Sequence, residues 1–170
     1  EGGFSTTSHT FSGSVSLPLN LTRNRFYSAL IPSADFNFYN DIVYNLNSGV
    51  FEQNLVSASY RLYYYLLYKT SPRDLYPPWG GIFDISHTSV PGMEETFNPS
   101  IRVKAALFFP GLLRHHGLRL EGSYQKQNLV DEYAFIINQE FPRGYEPVFS
   151  EELKSFRSDY VFPLIYPDLN

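Results

Sequence analysis

What most constrains this chain is a two-residue rhythm of apolar and polar side chains, sustained over windows of about ten residues. Ile101, Val103, Ala105, Leu107 and Phe109 share one face of such a window, and Arg102, Lys104 and Ala106 share the other. Leu118, Leu120, Gly122 and Tyr124 oppose Arg119, Glu121, Ser123 and Gln125. Phe156, Ser158, Tyr160, Phe162 and Leu164 oppose Arg157 and Asp159. Val15, Leu17, Leu19 and Leu21 alternate with Ser14, Ser16, Pro18 and Asn20. Val56, Ala58, Tyr60, Leu62, Tyr64 and Leu66 alternate with Ser57, Ser59 and Arg61. Successive side chains of a strand point to opposite sides, so each window predicts a strand with two unlike faces.

Weaker patterns predict further strands near 26–39, 80–89 and 131–139, about eight in all. The 12 prolines and 11 glycines recur along the whole chain, and no long segment has helical periodicity. Residues 69–78, 90–100, 110–116 and 140–152 are turn-rich, and some of these stretches are long enough to be outer loops, whereas Thr22 to Arg25 is a short connection. No composition shift divides the chain, so residues 1–170 read as part of a single all-β domain.

Alternation alone also suits a soluble sandwich, and two details favour lipid on one side. Charge returns repeatedly to the same face (Arg61, Arg102, Lys104, Arg119, Glu121, Arg157, Asp159), as in the wet interior of a large barrel. That leaves Val103, Leu107, Leu120, Tyr160 and Phe162 facing lipid. Aromatic residues, 18% of the chain, crowd strand ends at Tyr63-Tyr64-Tyr65, Tyr68 and Phe108-Phe109, where an aromatic girdle would sit. No run approaches the roughly 18 apolar residues of a spanning helix. With no cysteine, disulfides, thiolate zinc sites and cysteine nucleophiles are excluded. The net charge of -4 and the lack of any basic run argue against nucleic acid as a partner. The opening Glu1-Gly2-Gly3, without a methionine or signal peptide, reads as an N-terminus that lies elsewhere.

The second half carries a resemblance. From Phe108 the chain reads FFPGLLRHHGLRLEGSYQ, then FPRGYEP at 141–147, then SFRSDYVFPLIYPDLN. This resembles the barrel of the bacterial surface antigen superfamily, which includes barrel-assembly factors and two-partner secretion translocators. There, a strand–loop–strand of the first kind precedes a loop bearing Arg-Gly-Phe or Arg-Gly-Tyr, and a strand ending in aromatic-Pro-Leu follows. The three pieces cover roughly 100–168 in that order, and SPRDLYPPWGG, PGLLRHHGL and FPLIYPDL are similar to barrels of Bacteroidetes-type bacteria.

The resemblance implies an antiparallel transmembrane β-barrel of a Gram-negative outer membrane, acting in outer-membrane protein assembly or protein translocation. It implies no enzymatic step, no cofactor and no metal; the partners are outer-membrane lipid and client or partner outer-membrane proteins. Arg143, Gly144 and Tyr145 become the motif of a long outer loop folded back into the lumen, where the arginine meets acidic groups of the wall. In the family further strands follow the one at 153–165 and supply that acidic partner. The expectation is therefore a piece of a sixteen-stranded barrel, with a complete eight-stranded barrel as the alternative. A barrel that anchors or scaffolds an outer-membrane complex is the second functional reading.

Other constellations weigh less. His87-Thr88-Ser89 places a His and a Ser on one strand face, as in outer-membrane phospholipases, but no third group is evident for a hydrolase. His115-His116 are adjacent and so do not chelate as a strand pair. Glu94-Glu95 and Glu151-Glu152 read as loop carboxylates, and the Asn20-Leu21-Thr22 sequon lies in a strand.

Overall fold

A computed structural model describes residues 11–38, 43–51, 56–70, 74–92, 99–127, 133–135 and 150–163. Among them there is no helix. The strands are β1 (Phe11–Ser16), β2 (Leu19–Asn20), β3 (Phe26–Phe38), β4 (Val43–Asn45), β5 (Val50–Phe51) and β6 (Val56–Tyr68), followed by β7 (Gly80–Ser89), β8 (Ser100–Pro110), β9 (Gly117–Lys126), β10 (Tyr133–Phe135) and β11 (Glu152–Val161). Eight of them form one antiparallel sheet in the order β1-β3-β6-β7-β8-β9-β11, with β2 also on β3. β10, β4 and β5 form a separate three-stranded sheet.

β1 and β2 are two parts of one edge strand. Ser16 pairs with Ser33 and Leu19 with Leu30, so the register runs through the gap unchanged. The gap falls where Leu17 and Pro18 meet Pro32 and Ile31. Leu17 N–H donates to Pro32 O at 3.0 Å, and neither proline has an N–H to give back. The alternation predicted over residues 14–21 thus survives, with its ladder interrupted by proline. The chain then reverses tightly: Phe26 N–H donates to Arg23 O at 3.0 Å, with Asn24 at φ 51°. A left-handed residue in a two-residue hairpin turn suits Asn, whose short polar side chain tolerates that conformation.

The remaining strands follow as an up-and-down meander, and its two ends differ. At one end lie the Asn24 turn and the connections 69–79 and 111–116. At the other lie the connections 39–55, 90–99 and 127–151, which contain β4, β5 and β10. The four turn-rich stretches read from sequence therefore divide between the ends: 69–78 and 110–116 at the short-turn end, 90–100 and 140–152 at the long-connection end. Of the strand expected near 131–139, the described part is β10, and it belongs to the small sheet.

Cross-strand pairing fixes which residues share a face. Lys104 pairs with Asp84 and with Ser123, and Ser86 pairs with Arg61 and Arg102. Val103 pairs with Ile85 and Tyr124, and Ile85 with Leu62. The two parities thus continue from strand to strand, one carrying the lattice charges and the other most of the exposed apolar side chains. Almost no apolar core exists: among the described residues the buried hydrophobic ones are Ala29, Ala58, Val90, Ala106, Phe108 and Phe135. A soluble domain needs a second layer over its apolar face, and no described residues supply one.

Candidate functional site

The polar face carries a lattice of ion pairs. Asp84 on β7 sits at its centre because Arg61, one row away on β6, and Arg102, one row away on β8, reach it from both sides. The Arg61 guanidinium donates from Nε to Oδ1 and from Nη2 to Oδ2, both at 2.7 Å. Arg102 Nη2 lies 3.6 Å from Oδ2. A planar fork on both carboxylate oxygens is the strong geometry for such a pair. Further along, Glu121 on β9 accepts from Lys104 Nζ at 2.9 Å and from Arg119 Nη2. On β11, Arg157 Nε donates to Asp159 Oδ1 at 2.9 Å.

Burial is what makes these contacts informative. The side chains of Asp84 and Glu121 are only 9% exposed, so each carboxylate is withdrawn from water and set against its cations. Neutral groups extend the lattice: Ser59 Oγ and Thr88 Oγ1 are 2.9 Å apart, and Gln125 Nε2 donates to Ser100 Oγ at 3.3 Å. Rings finish it, with Arg61 5.2 Å from the Tyr63 centroid and Arg119 5.9 Å from that of Phe108. Such a wall holds strands in register and presents fixed charge to water or a polar guest.

The opposite face is apolar and open. Val103, Leu107, Tyr160 and Phe162 are 36, 41, 43 and 51% exposed, and Leu120 is half-buried among them. Aromatic rings collect at both ends of this face. Near the long connections, Phe11 lies 6.0 Å from Phe38, and Tyr60 lies 6.5 Å from both Phe36 and His87. At the short-turn end Phe26 packs edge-on against Tyr68 at 5.3 Å, and Trp79 against Phe109 at 5.8 Å. His116 stacks on Phe162 there and makes a 2.8 Å hydrogen bond through Nδ1 to Tyr160 Oη.

Each residue singled out in the sequence has a place in this picture, with some exceptions. Arg61, Arg102, Lys104, Arg119, Glu121, Arg157 and Asp159 all lie on the polar face and join the lattice. Arg143, Gly144 and Tyr145, and also Glu94 and Glu95, lie outside the described residues. His87 and Ser89 fall on the apolar face, where the ring beside His87 is that of Tyr60. His115 and His116 diverge, His115 Nδ1 meeting Asp74 Oδ1 at 2.9 Å. Glu152 pairs with Lys154 at 2.7 Å on the surface, and Asn20 Oδ1 accepts from Thr22 N–H at 2.9 Å. Among the described residues no three His, Cys, Asp or Glu side chains gather as metal ligands.

Asp84 is what the sequence reading missed. It lies in Gly80–Ser89, where Ile82 on the polar face and His87 on the apolar face blur the alternation. Its signal was present nonetheless: an acid at the centre of a strand flanked by two strands with arginine. Comparison with models of known protein families, with characterised proteins and with solved structures finds no match to this chain.

Proposed function

We propose that the chain is part of an outer-membrane β-barrel whose apolar face meets lipid and whose charged face lines a water-filled lumen. One observation carries the reading. The sheet buries its carboxylates Asp84 and Glu121 and leaves many large apolar side chains exposed, the reverse of a water-soluble fold. Among the described residues no second layer covers the sheet, and the side chains that are nonetheless buried lie mostly on the charged face. Lipid accounts for the other face at no cost, because hydrocarbon is what Ile85, Val103 and Leu107 would otherwise need from a core.

The spacing of the aromatic rows supports this. Tyr60 and Tyr68 are eight residues apart on β6, which is about 27 Å along the strand. At the usual tilt that is about 20 Å along the normal, close to the height of an apolar barrel band. The connections are longer on the whole at one end (17, 10 and 25 residues) than at the other (5, 11 and 6), which is in keeping with the outer-membrane pattern of shorter turns on the periplasmic side.

The work of the barrel, on the resemblance over roughly 100–168, is outer-membrane protein assembly or translocation as a member of the surface antigen superfamily. The alternative is a scaffold within an outer-membrane complex. The lattice suits either, since both need a rigid polar wall and neither needs chemistry. A protein without cysteine makes the membrane claim easy to test with single labels. Val103→Cys and Leu120→Cys, each carrying a fluorophore, are expected to be quenched by lipid-borne quenchers after folding into vesicles. Ser86→Cys and Ser123→Cys should respond to aqueous iodide instead. Equal quenching of both faces from water would refute the barrel. Depleting the protein in its host then separates the two functions: unfolded outer-membrane proteins accumulate if it assembles them, whereas a single complex is lost if it is a scaffold.

A further inference from the structure

The small sheet has an odd origin. β4 and β5 belong to the connection between β3 and β6, whereas β10 belongs to the connection between β9 and β11. In the main sheet β3 and β9 are separated by β6, β7 and β8. Yet Tyr133 pairs with Asn45, Ala134 with Tyr44 and Phe135 with Val43. The two connections therefore meet over the ends of the strands between them.

Gln127 says on which side they meet. Its N–H donates to Glu151 O at 2.8 Å, extending the β9–β11 ladder by one pair beyond Lys126 and Glu152. Two residues beyond Gln125, it therefore shares the polar face. Its side chain uses both ends of the amide: Oε1 accepts from Phe135 N–H at 2.9 Å, and Nε2 donates to Ser150 O at 3.0 Å. β10 is thus held by a side chain that points to the polar side.

Burial agrees independently. The end of a bare sheet is its most exposed part, but here Ser57, Ser100, Gln125 and Gln127 are 0, 6, 4 and 2% exposed. All four are polar-face residues at the long-connection end. In the middle of the same face, where the lattice lies, Arg102 keeps 20% of its side chain exposed and Arg61 44%. The carboxylates of the lattice are buried as well, Asp84 and Glu121 at 7% each, so the low exposure at the end fits a cover there without being confined to it.

We propose that β4, β5 and β10 form a strap across the polar mouth at the long-connection end, pinned by Gln127, which shuts that mouth to solutes. The seat of the strap stands on the geometry alone; the closing of a lumen rests on the barrel reading above. A strapped barrel does not serve as an open diffusion pore, and any polypeptide passing through the mouth must displace β10 first.

The test uses the full chain folded in lipid vesicles, with single cysteines and a membrane-impermeant maleimide. Ser100→Cys, under the strap, is expected to react about tenfold or more slowly than Ser86→Cys in the middle of the polar face. Adding Gln127→Ala should remove most of that protection, since it deletes both side-chain hydrogen bonds of Gln127, the buried one to Phe135 among them. Separately, Tyr44→Cys with Ala134→Cys should cross-link on oxidation, because directly paired strand positions lie within disulfide reach. Equal labelling of Ser100→Cys and Ser86→Cys, or failure of the cross-link in a folded protein, overturns the strap. Leu62→Cys in the same preparation reports on the other claim. If it too reacts readily from water, the membrane reading fails, and the strap still stands or falls on its own two measurements.

Discussion

The same strands present two faces that obey opposite rules. On one, Ile85 and Val103 stand open and nothing polar intrudes between them; on the other, Asp84 and Lys104, their immediate neighbours in sequence, are drawn into a network. The difference teaches that this sheet is stabilised by what surrounds it as much as by what it contains. Its internal contribution comes from backbone ladders and charge-assisted bonds on one side. Its hydrophobic contribution is realised only when something apolar covers the other.

The hardest way to break that contrast is to place a charge on the apolar side. Val103→Arg is expected to lower the stability of the lipid-folded protein by about 2–4 kcal/mol, read by denaturant titration in vesicles. Ser86→Glu, which puts a carboxylate between Arg61 and Arg102 on the polar face, should cost less than about 1 kcal/mol under the same titration. A similar loss for both would mean that the faces do not differ in what they touch.

The lattice itself sharpens the comparison at smaller amplitude. Asp84→Asn leaves Arg61 and Arg102 without their carboxylate and should cost about 1–3 kcal/mol. Combined with Arg61→Ala in a double-mutant cycle, the two losses should add to less than their sum, because both remove the same pair. Strict additivity would place Asp84 outside the network. The girdle comes last: Tyr60→Leu keeps an apolar side chain but removes the ring that meets Phe36 and His87, at an expected cost of about 0.5–1.5 kcal/mol.

How far the sequence reveals this depends on how evenly its strands alternate. Residues 118–125 assign each side chain to its face without error, because charge and hydrocarbon never share a parity there, whereas in 101–109 Ala106 and Phe108 fall on the side of Arg102 and Lys104. Along β3 the assignment is harder: Tyr27, Ala29 and Ile31 put apolar groups on the polar side, and Ser28 puts a hydroxyl on the apolar one. β7 hides Asp84 for the same reason. The strap was beyond reach, since pairing between 43–45 and 133–135 leaves no periodic trace in three-residue strands. Nor does a lone Gln at 127 announce that both ends of its amide are used. Barrel closure and the partners of the motif at 143–145 rest on the resemblance, and no face-by-face argument reaches them.

Trp79, packed against Phe109 at the short-turn end, is the sole indole in the chain. Every photon of tryptophan emission therefore originates from a single stratum of the molecule. Its colour, blue against acyl chains and red in water, is a built-in depth gauge that needs no label. On the barrel reading, the half of the protein nearest the short turns can thus be followed into a bilayer in real time, while the strapped half stays dark.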